Sequence, residues 1–377
     1  MRRAPSLDLP DGTWTVLGLM SGTSADGVDA ALVSVDARGF TGGQPFQGLL
    51  RHHAEPYPEA LRAEVLEAAA DRLPPSRLCV LQRRLGEHHA RAARACVRAT
   101  GRAPHLASLH GQTVQHRPAE GATLQLADPY LLAEALACPV VWDLRRRDMA
   151  LGGQGAPLVP KAELWLRGTA RPWLALNLGG IANLAAWDGQ RVHGFDAGPG
   201  MSLLDLAARR WLGRPFDPEG SAAGGRVRGE AVEAWMTDPF FTTPPPKSTG
   251  REAFGAAWLE REALHLEAMP LEDRLATLSA FTARACAEGW SRFGVPLPAG
   301  TALKISGGGA RHRPLRALLA EAFPAFAVED DVELPPGSRE AVSWALLGAA
   351  SAAGLPAHDP AVTGAEREAV LGSWVFP

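Results

Sequence analysis

Several short stretches of this 377-residue chain combine residue types suited to phosphate binding and proton transfer. Gly22, Thr23, Ser24, Ala25, Asp26, Gly27, Val28 and Asp29 form a run of small and polar residues. A hairpin tip of that kind can bring backbone N–H groups against a polyphosphate, with Thr23 and Ser24 as hydroxyl donors. Asp26 or Asp29 can hold a hydrated Mg²⁺, which is usually bound through one or two carboxylates plus phosphate oxygens. A plain β-hairpin accounts for the same residues equally well. Asn177 to Asn183 repeats the design: Gly179 and Gly180 permit close backbone approach to phosphates, or simply a tight turn. Gly307, Gly308 and Gly309 follow a strand-like run and leave a side-chain-free surface for a planar base, or a flexible connection. Asp196 precedes Gly198, Pro199 and Gly200. A carboxylate there suits a general base, and also a helix N-cap. Arg145, Arg146 and Arg147 lie between Asp143 and Asp148, and arginine forks bind carboxylate or phosphate in a bidentate way. Lys247 to Arg251 reads as a polar loop with anion-binding chemistry or as ordinary surface.

The elements that must position these residues follow from apolar period and turn signals. Thr13–Met20 and Val28–Val35 read as paired strands, with Asp26 and Gly27 as a turn needing positive φ. Helices are expected over 58–72 and 75–100. A strand over 105–109 leads to His110, and a short one over 139–142 leads to the arginine run. Trp173–Leu178 and Ile181–Trp187 form a second hairpin around Gly179 and Gly180. A third strand, Val192–Phe195, ends at Asp196 and feeds a helix over 201–212. Residues 213–250 read as loop with one short helix. Helices are expected over 253–268 and 271–293, a strand over 301–306, a helix after Pro314 and a last helix over 339–353.

The length favours two domains, and 46% apolar with 21% charged residues fits a soluble globular chain. A net charge of -3 gives no reason to expect nucleic acid or a membrane surface as partner. The four cysteines form no Cys-x-x-Cys pair, and a reduced cytoplasmic setting is expected. No signal peptide or membrane span is expected. Gly-Lys occurs nowhere, which argues against a Walker A loop, and no Gly-x-Gly-x-x-Gly opens a helix. Usage is skewed: 35 of 38 basic residues are arginine, and only two residues each are asparagine and isoleucine. Both asparagines and Ile181 fall in the second hairpin. Ile305 and Lys304 precede the triple glycine, and Lys247 opens its polar loop. Two glycine hairpins, a carboxylate and a triple glycine in that order are expected of a two-lobed phosphotransferase with its nucleotide in the cleft.

Those residues resemble the anhydro-N-acetylmuramic acid kinase family of the hexokinase/actin-like ATPase superfamily. The stretches carrying the resemblance are 20–29, 110–113, 143–148, 151–160, 176–184, 195–200, 247–252, 307–309 and 362–365. The resemblance implies an α/β, ribonuclease H-like fold of two lobes. The first lobe would take residues 1–140 plus about 350–377, and the second 141–349. It implies a cytoplasmic enzyme of cell-wall recycling that uses ATP, Mg²⁺ and water. The reaction would convert 1,6-anhydro-N-acetylmuramic acid to N-acetylmuramic acid 6-phosphate. By resemblance, Asp196 is the catalytic aspartate. The nucleotide falls on Gly22–Asp29, Asn177, Gly179, Gly180 and Gly307–Gly309, with Mg²⁺ near Asp26. The sugar falls on His110, Arg145, Arg146, Arg147, Asp148 and Glu340. A homodimer is a family-based expectation. This chain departs from the family pattern with Ala25, with Ala197 in place of a usual Thr and with Met201 in place of a usual Asn; before the last helix, the stretch after Pro336 replaces usual aspartates. Rival readings are another sugar or polyol kinase of the superfamily, or a non-catalytic actin-like ATPase.

Overall fold

The computed structural model describes all residues except 1–6, 8, 23, 24 and 221. Its strands are β1 (Thr13–Ser21), β2 (Gly27–Asp36), β3 (Phe46–Pro56), β4 (Leu106–Arg117), β5 (Ala122–Leu126), β6 (Val140–Trp142), β7 (Trp173–Leu178), β8 (Ile181–Trp187), β9 (Val192–Pro199), β10 (Leu303–Ser306), β11 (Val328–Asp330) and β12 (Ser373–Val375). Its α-helices are α1 (Gly39–Gly42), α2 (Glu59–Ala69), α3 (Pro75–Arg98), α4 (Pro129–Leu136), α5 (Leu144–Ala150), α6 (Val159–Arg167), α7 (Ser202–Ala207), α8 (Gly229–Trp235), α9 (Ala256–Glu267), α10 (Leu271–Phe293), α11 (Arg313–Ala322), α12 (Arg339–Ala352) and α13 (Pro360–Thr363). The chain divides into one unit of residues 1–169 with 337–377 and a second of 170–336. Residues 141–169 and 337–349, expected in the second lobe, therefore lie in the first unit. The reason is local: β6 joins the first sheet, and Glu163 of α6 is ion-paired with Arg339 of α12.

The first unit is built on a seven-stranded sheet in the order β12-β6-β4-β1-β2-β3, with β5 paired to β4. β1 and β2 are antiparallel from Thr13 opposite Asp36 to Met20 opposite Asp29. β4 runs parallel to β1, and β6 parallel to β4. Alternation along β1 sends Leu17 and Leu19 into a core with Leu81, Leu85 and Cys96 of α3. The opposite face, at Gly18, meets α12 so closely that a Cβ there would lie 1.9 Å from the Ala341 carbonyl oxygen. A side chain at position 18 would have to displace helix backbone, so glycine is required.

The second unit has a five-stranded sheet in the order β11-β10-β7-β8-β9. β7, β8 and β9 form an antiparallel meander, and β10 lies parallel to β7 and β11. Leu176, Leu184, Phe195 and Ala197 pack with Cys286 of α10 and Leu315 of α11. A second cluster joins Trp235, Phe241, Phe254, Trp258 and Phe281. Among the described residues no helix is long and apolar enough to cross a membrane.

Candidate active site

In the first unit, β1 and β2 deliver the tip at Gly22, Ala25 and Asp26; Thr23 and Ser24 lie outside the described residues. The positive φ of the turn, expected at Asp26 and Gly27, is carried by Ala25 at 52°. Gly27 is needed for a different reason: a Cβ there would lie 2.4 Å from the Glu55 carbonyl oxygen. Ala25 and Val28 are buried at 1% exposure, so only their backbone is available to a ligand. Asp26 is exposed.

A buried hydrogen-bond chain supports this tip. Tyr57 Oη donates to Ser21 Oγ at 3.0 Å and to Gln112 Oε1 at 3.2 Å. Gln112 Nε2 donates to the Gly22 carbonyl at 3.1 Å, and Ser21 Oγ lies 3.1 Å from His89 Nε2. Burial, then the neighbouring His88, pulls His89 down to about 3, so this imidazole is neutral at physiological pH. Ser21 and Gln112 lie in stretches that carry the family resemblance, whereas Tyr57 and His89 did not stand out in the sequence; the signal common to all four is a buried polar side chain, which only tertiary structure reveals.

His110, Arg145 and Glu340 come together. Arg145 Nε and Nη2 approach His110 Nε2 at 3.1 and 3.0 Å, and Arg145 Nη1 donates to the Gly155 carbonyl at 2.8 Å. The Trp344 ring lies 5.1 Å from the guanidinium and edge-on to His110 at 4.5 Å. His110 Nδ1 donates to the Gly111 carbonyl at 2.7 Å, leaving Nε2 as acceptor. Burial, reinforced by the Arg145 charge, holds His110 well below the usual histidine value. We expect ¹⁵N spectra to show His110 as a neutral Nδ1–H tautomer from about pH 8 down to about pH 5, since both causes penalise the cation. A titration within that window would contradict the assignment. Glu340, in the first turn of α12, has its carboxyl raised by burial and then by Asp29, against the charge of Arg145. Asp29 itself accepts from His52 Nε2 at 2.8 Å.

The rest of the arginine run separates from that group. Arg146 and Arg147 are exposed on the outer side of α5, and Arg146 pairs with Asp143. They line a surface cavity of about 470 Å³ with Leu151, Gly372 and Ser373. Asp148 is fully buried and is consumed internally: it accepts from Gly155 N at 2.7 Å, from Thr363 Oγ1 at 2.6 Å, and pairs with His358. Its expected place as a sugar ligand is therefore corrected to a brace that ties the glycine loop and the C-terminal segment to α5.

In the second unit, the hairpin turn at Gly179 and Gly180 is closed by the start of α7. Gly200 and Ser202 N–H groups donate to the Gly180 carbonyl, and Met201 N–H to Gly179. Ser306 Oγ donates to Asn177 Oδ1 at 3.3 Å. The triple glycine is not a uniformly open surface. Cβ atoms at Gly307 and Gly309 would lie 2.6 Å from the Leu178 carbonyl oxygen and 2.7 Å from Leu178 Cβ. Gly308 alone faces open space. Met201 fits because Gly309 is bare: a Cβ there would meet its sulfur at 2.8 Å.

Asp196 lies inside β9, which runs on to Pro199, rather than at a strand end. It is not the helix cap, since Met201 holds the N-cap position of α7. It sits opposite Asn183, where the β8–β9 register slips. Such a bulge re-aims a side chain. Asn183 Nδ2 donates to Asp196 Oδ1, and Thr249 N–H donates to Oδ2 at 2.8 Å. Asp196 is 5% exposed, with both oxygens held. Ala197 points to the other side of the strand, fully buried in the apolar cluster, so a hydroxyl there would not face Asp196 directly.

Two units, each opening on an antiparallel hairpin with glycine or small residues at its tip and parallel strands beside it, give this chain the two-part α/β plan expected from its sequence. Among solved structures, component A of (R)-2-hydroxyglutaryl-CoA dehydratase from Acidaminococcus fermentans is 11% identical. It covers 90% of this chain and 99% of its own at a TM-score of 0.48. The profile of the family described as anhydro-N-acetylmuramic acid kinase matches residues 14–377. A protein of that name from Parasynechococcus marenigrum (strain WH8102) is 42% identical over 96% of this chain and 99% of its own length. Another from Gloeobacter violaceus is 41% identical over 94% and 97%. The chain belongs to the anhydro-N-acetylmuramic acid kinase family.

Proposed function

We propose that this enzyme uses ATP and water to open 1,6-anhydro-N-acetylmuramic acid and phosphorylate it at O6, in the cytoplasm, as a step of cell-wall recycling. The substrate chemistry sets the problem. O6 is tied up in the anhydro bridge, so the ring must open before an acceptor oxygen exists. Asp196 takes a proton from water as that water attacks the anomeric carbon, the task of the base in an inverting glycosidase. The departing O6 is captured by the γ-phosphoryl group, which replaces the usual general acid. The observation that carries this reading is the Asp196 carboxylate, fixed at both oxygens by Asn183 and Thr249 N–H, in a chain of the anhydro-N-acetylmuramic acid kinase family.

Other roles follow from the geometry. The backbone around Gly22–Asp29 and the turn at Gly179 and Gly180 bind phosphates, with Asn177 positioning the turn and Gly308 giving the open approach of the triple glycine. Arg145, immobilised by His110 and the Gly155 carbonyl, recognises the sugar's lactyl carboxylate. Glu340 orients the sugar hydroxyls, and His110 acts through Arg145, which it holds in place. The exposed Asp26 and the half-buried Asp29 suit a hydrated Mg²⁺, and both raise the neighbouring Glu340 carboxyl, a local excess of negative charge that a cation would relieve. When bound, Mg²⁺ would neutralise charge on the phosphate oxygens.

The test follows ADP release with ATP and one of three acceptors. We expect turnover with 1,6-anhydro-N-acetylmuramate and none above background with glucose or glycerol. Turnover with glucose alone would assign the chain to another sugar kinase, and none with any acceptor would fit a non-catalytic ATPase.

A further inference from the structure

Lys247 is one of three lysines among 38 basic residues, and it is buried at 4% exposure. Its ammonium donates to the Phe240 carbonyl at 3.1 Å. Three aromatic faces surround it, with ring centroids at 4.5 Å for Phe240, 4.8 Å for Phe293 and 5.7 Å for Phe195. These rings come from the 239–241 turn, the end of α10 and β9. A cation over aromatic faces is attracted by their quadrupoles, most strongly where water is excluded. The charged groups that act on it are Asp196, which favours the cation, and Arg292, which opposes it.

The backbone of the same residue is tied to Asp196. Asp196 N–H donates to the Lys247 carbonyl at 3.4 Å, and two residues on, Thr249 N–H donates to Asp196 Oδ2 at 2.8 Å. Residues 247 and 249 therefore bracket Asp196 from one side, while Asn183 holds it from the other.

We propose that Lys247 is a positioning residue for the proposed base: its caged ammonium clamps the 247–249 segment on Asp196. The proposal rests on the reading of Asp196 as base. Lysine suits the place because it presents a compact charge that three rings can enclose, whereas a guanidinium is a flat fork of five donors. Burial first, then Arg292, pulls the ammonium down to about 8 against the attraction of Asp196. The clamp therefore loses its charge as pH rises through that value.

The experiment measures kcat, both KM values and the pH dependence of kcat for the full-length enzyme with ATP and the anhydro sugar. In the wild type, kcat falls as pH rises through the lysine's range. Lys247→Met keeps the bulk of the side chain and the ring contacts. We expect it to lower kcat by about tenfold or more, less than the roughly 10²–10⁴-fold that a general base contributes. Both KM values should stay within about twofold, and the alkaline limb should vanish. Phe293→Leu, which removes one wall of the cage, should move the alkaline limb to lower pH and keeps the question open to test should the methionine variant not fold. A Lys247→Met enzyme with unchanged kcat, or with reduced kcat and an unchanged alkaline limb, overturns the proposal. So does a Phe293→Leu enzyme whose alkaline limb stays in place. Asp196→Asn, run in parallel, separates the two levels: wild-type turnover in that variant would sink the base reading itself. An inactive Asp196→Asn beside an unaltered Lys247→Met would sink only the clamp.

Discussion

Asp196→Asn is expected to lower kcat by about three orders of magnitude, within the range that a positioned general base contributes. Two losses combine. The amide no longer accepts a proton from water, and its NH₂ group faces a donor that the carboxylate satisfied. Asn183 Nδ2 and Thr249 N–H each need an acceptor, and asparagine offers one oxygen to the two of them. The variant should still fold, because the exchange is isosteric within β9, and circular dichroism should be unchanged. ATP binding, measured by calorimetry, should be close to wild type, since the phosphates are assigned to backbone elsewhere. A kcat within about tenfold of wild type would remove Asp196 from the chemistry.

The second large effect concerns stability. Glu163 of α6 is buried and shared by two arginines. Arg167 Nε donates to it at 2.7 Å, and Arg339 Nη1 reaches both oxygens at 2.9 Å. Arg167 lies just before the chain leaves the first unit, and Arg339 just after it returns. Glu163→Gln removes the carboxylate that both guanidinium groups share in a dry site, a change that typically costs about 3–5 kcal/mol. Differential scanning calorimetry should show the first unit melting about 10 °C lower, given roughly 2–4 °C per kcal/mol for a unit of this size. The pH dependence has a definite sign. Burial alone would raise the Glu163 carboxyl, but the charges of Arg167 and Arg339 outweigh it and hold the group below its ordinary value. Its contribution is thus complete above the unfolded value and fades as pH drops through the folded one. Between about pH 5 and about pH 3 the wild type should lose more stability than Glu163→Gln. Equal melting at neutral pH would show that the cluster contributes nothing.

What the sequence revealed tracks how local the determining physics was. The two hairpins were legible nearly to the residue, because the apolar period and the turn residues lie side by side. The long helices α3 and α10 came through their own 3.6-residue pattern. β3 did not: its pairing with β2 slips between Leu32 and Val33 and again between Ser34 and Val35, which breaks the two-residue alternation. β12 is three residues long and exists only by pairing with β6, which is more than 200 residues away in the chain. β4 was read as ending at Leu109, yet it continues to Arg117 through Gly111 at a positive φ of 80°.

The site divides along the same line. The hairpin tips lie where the turn residues put them, and Asp196 lies on the strand expected to lead to it. Asp148 was misplaced because its partners His358 and Thr363 are 210 and 215 residues distant, so nothing nearby marked it as internal. Asn183, Lys247 and Thr249, which hold Asp196, lie in stretches singled out for anion-binding chemistry, but nothing in the sequence tied them to Asp196. Gly307 and Gly309 looked like ligand-facing glycines, but their sequence context is the same whether a ligand or Leu178 occupies the space.

The central claim is that water attacks the anomeric carbon while phosphate is captured by the departing O6. A single-turnover reaction in ¹⁸O-labelled water, quenched before the anomeric oxygen exchanges, tests it most directly by mass spectrometry of the sugar phosphate. We expect one labelled oxygen on C1, an unlabelled O6–phosphate bridge and no label in free phosphate. Label in inorganic phosphate, or a product with no label on C1, would contradict it.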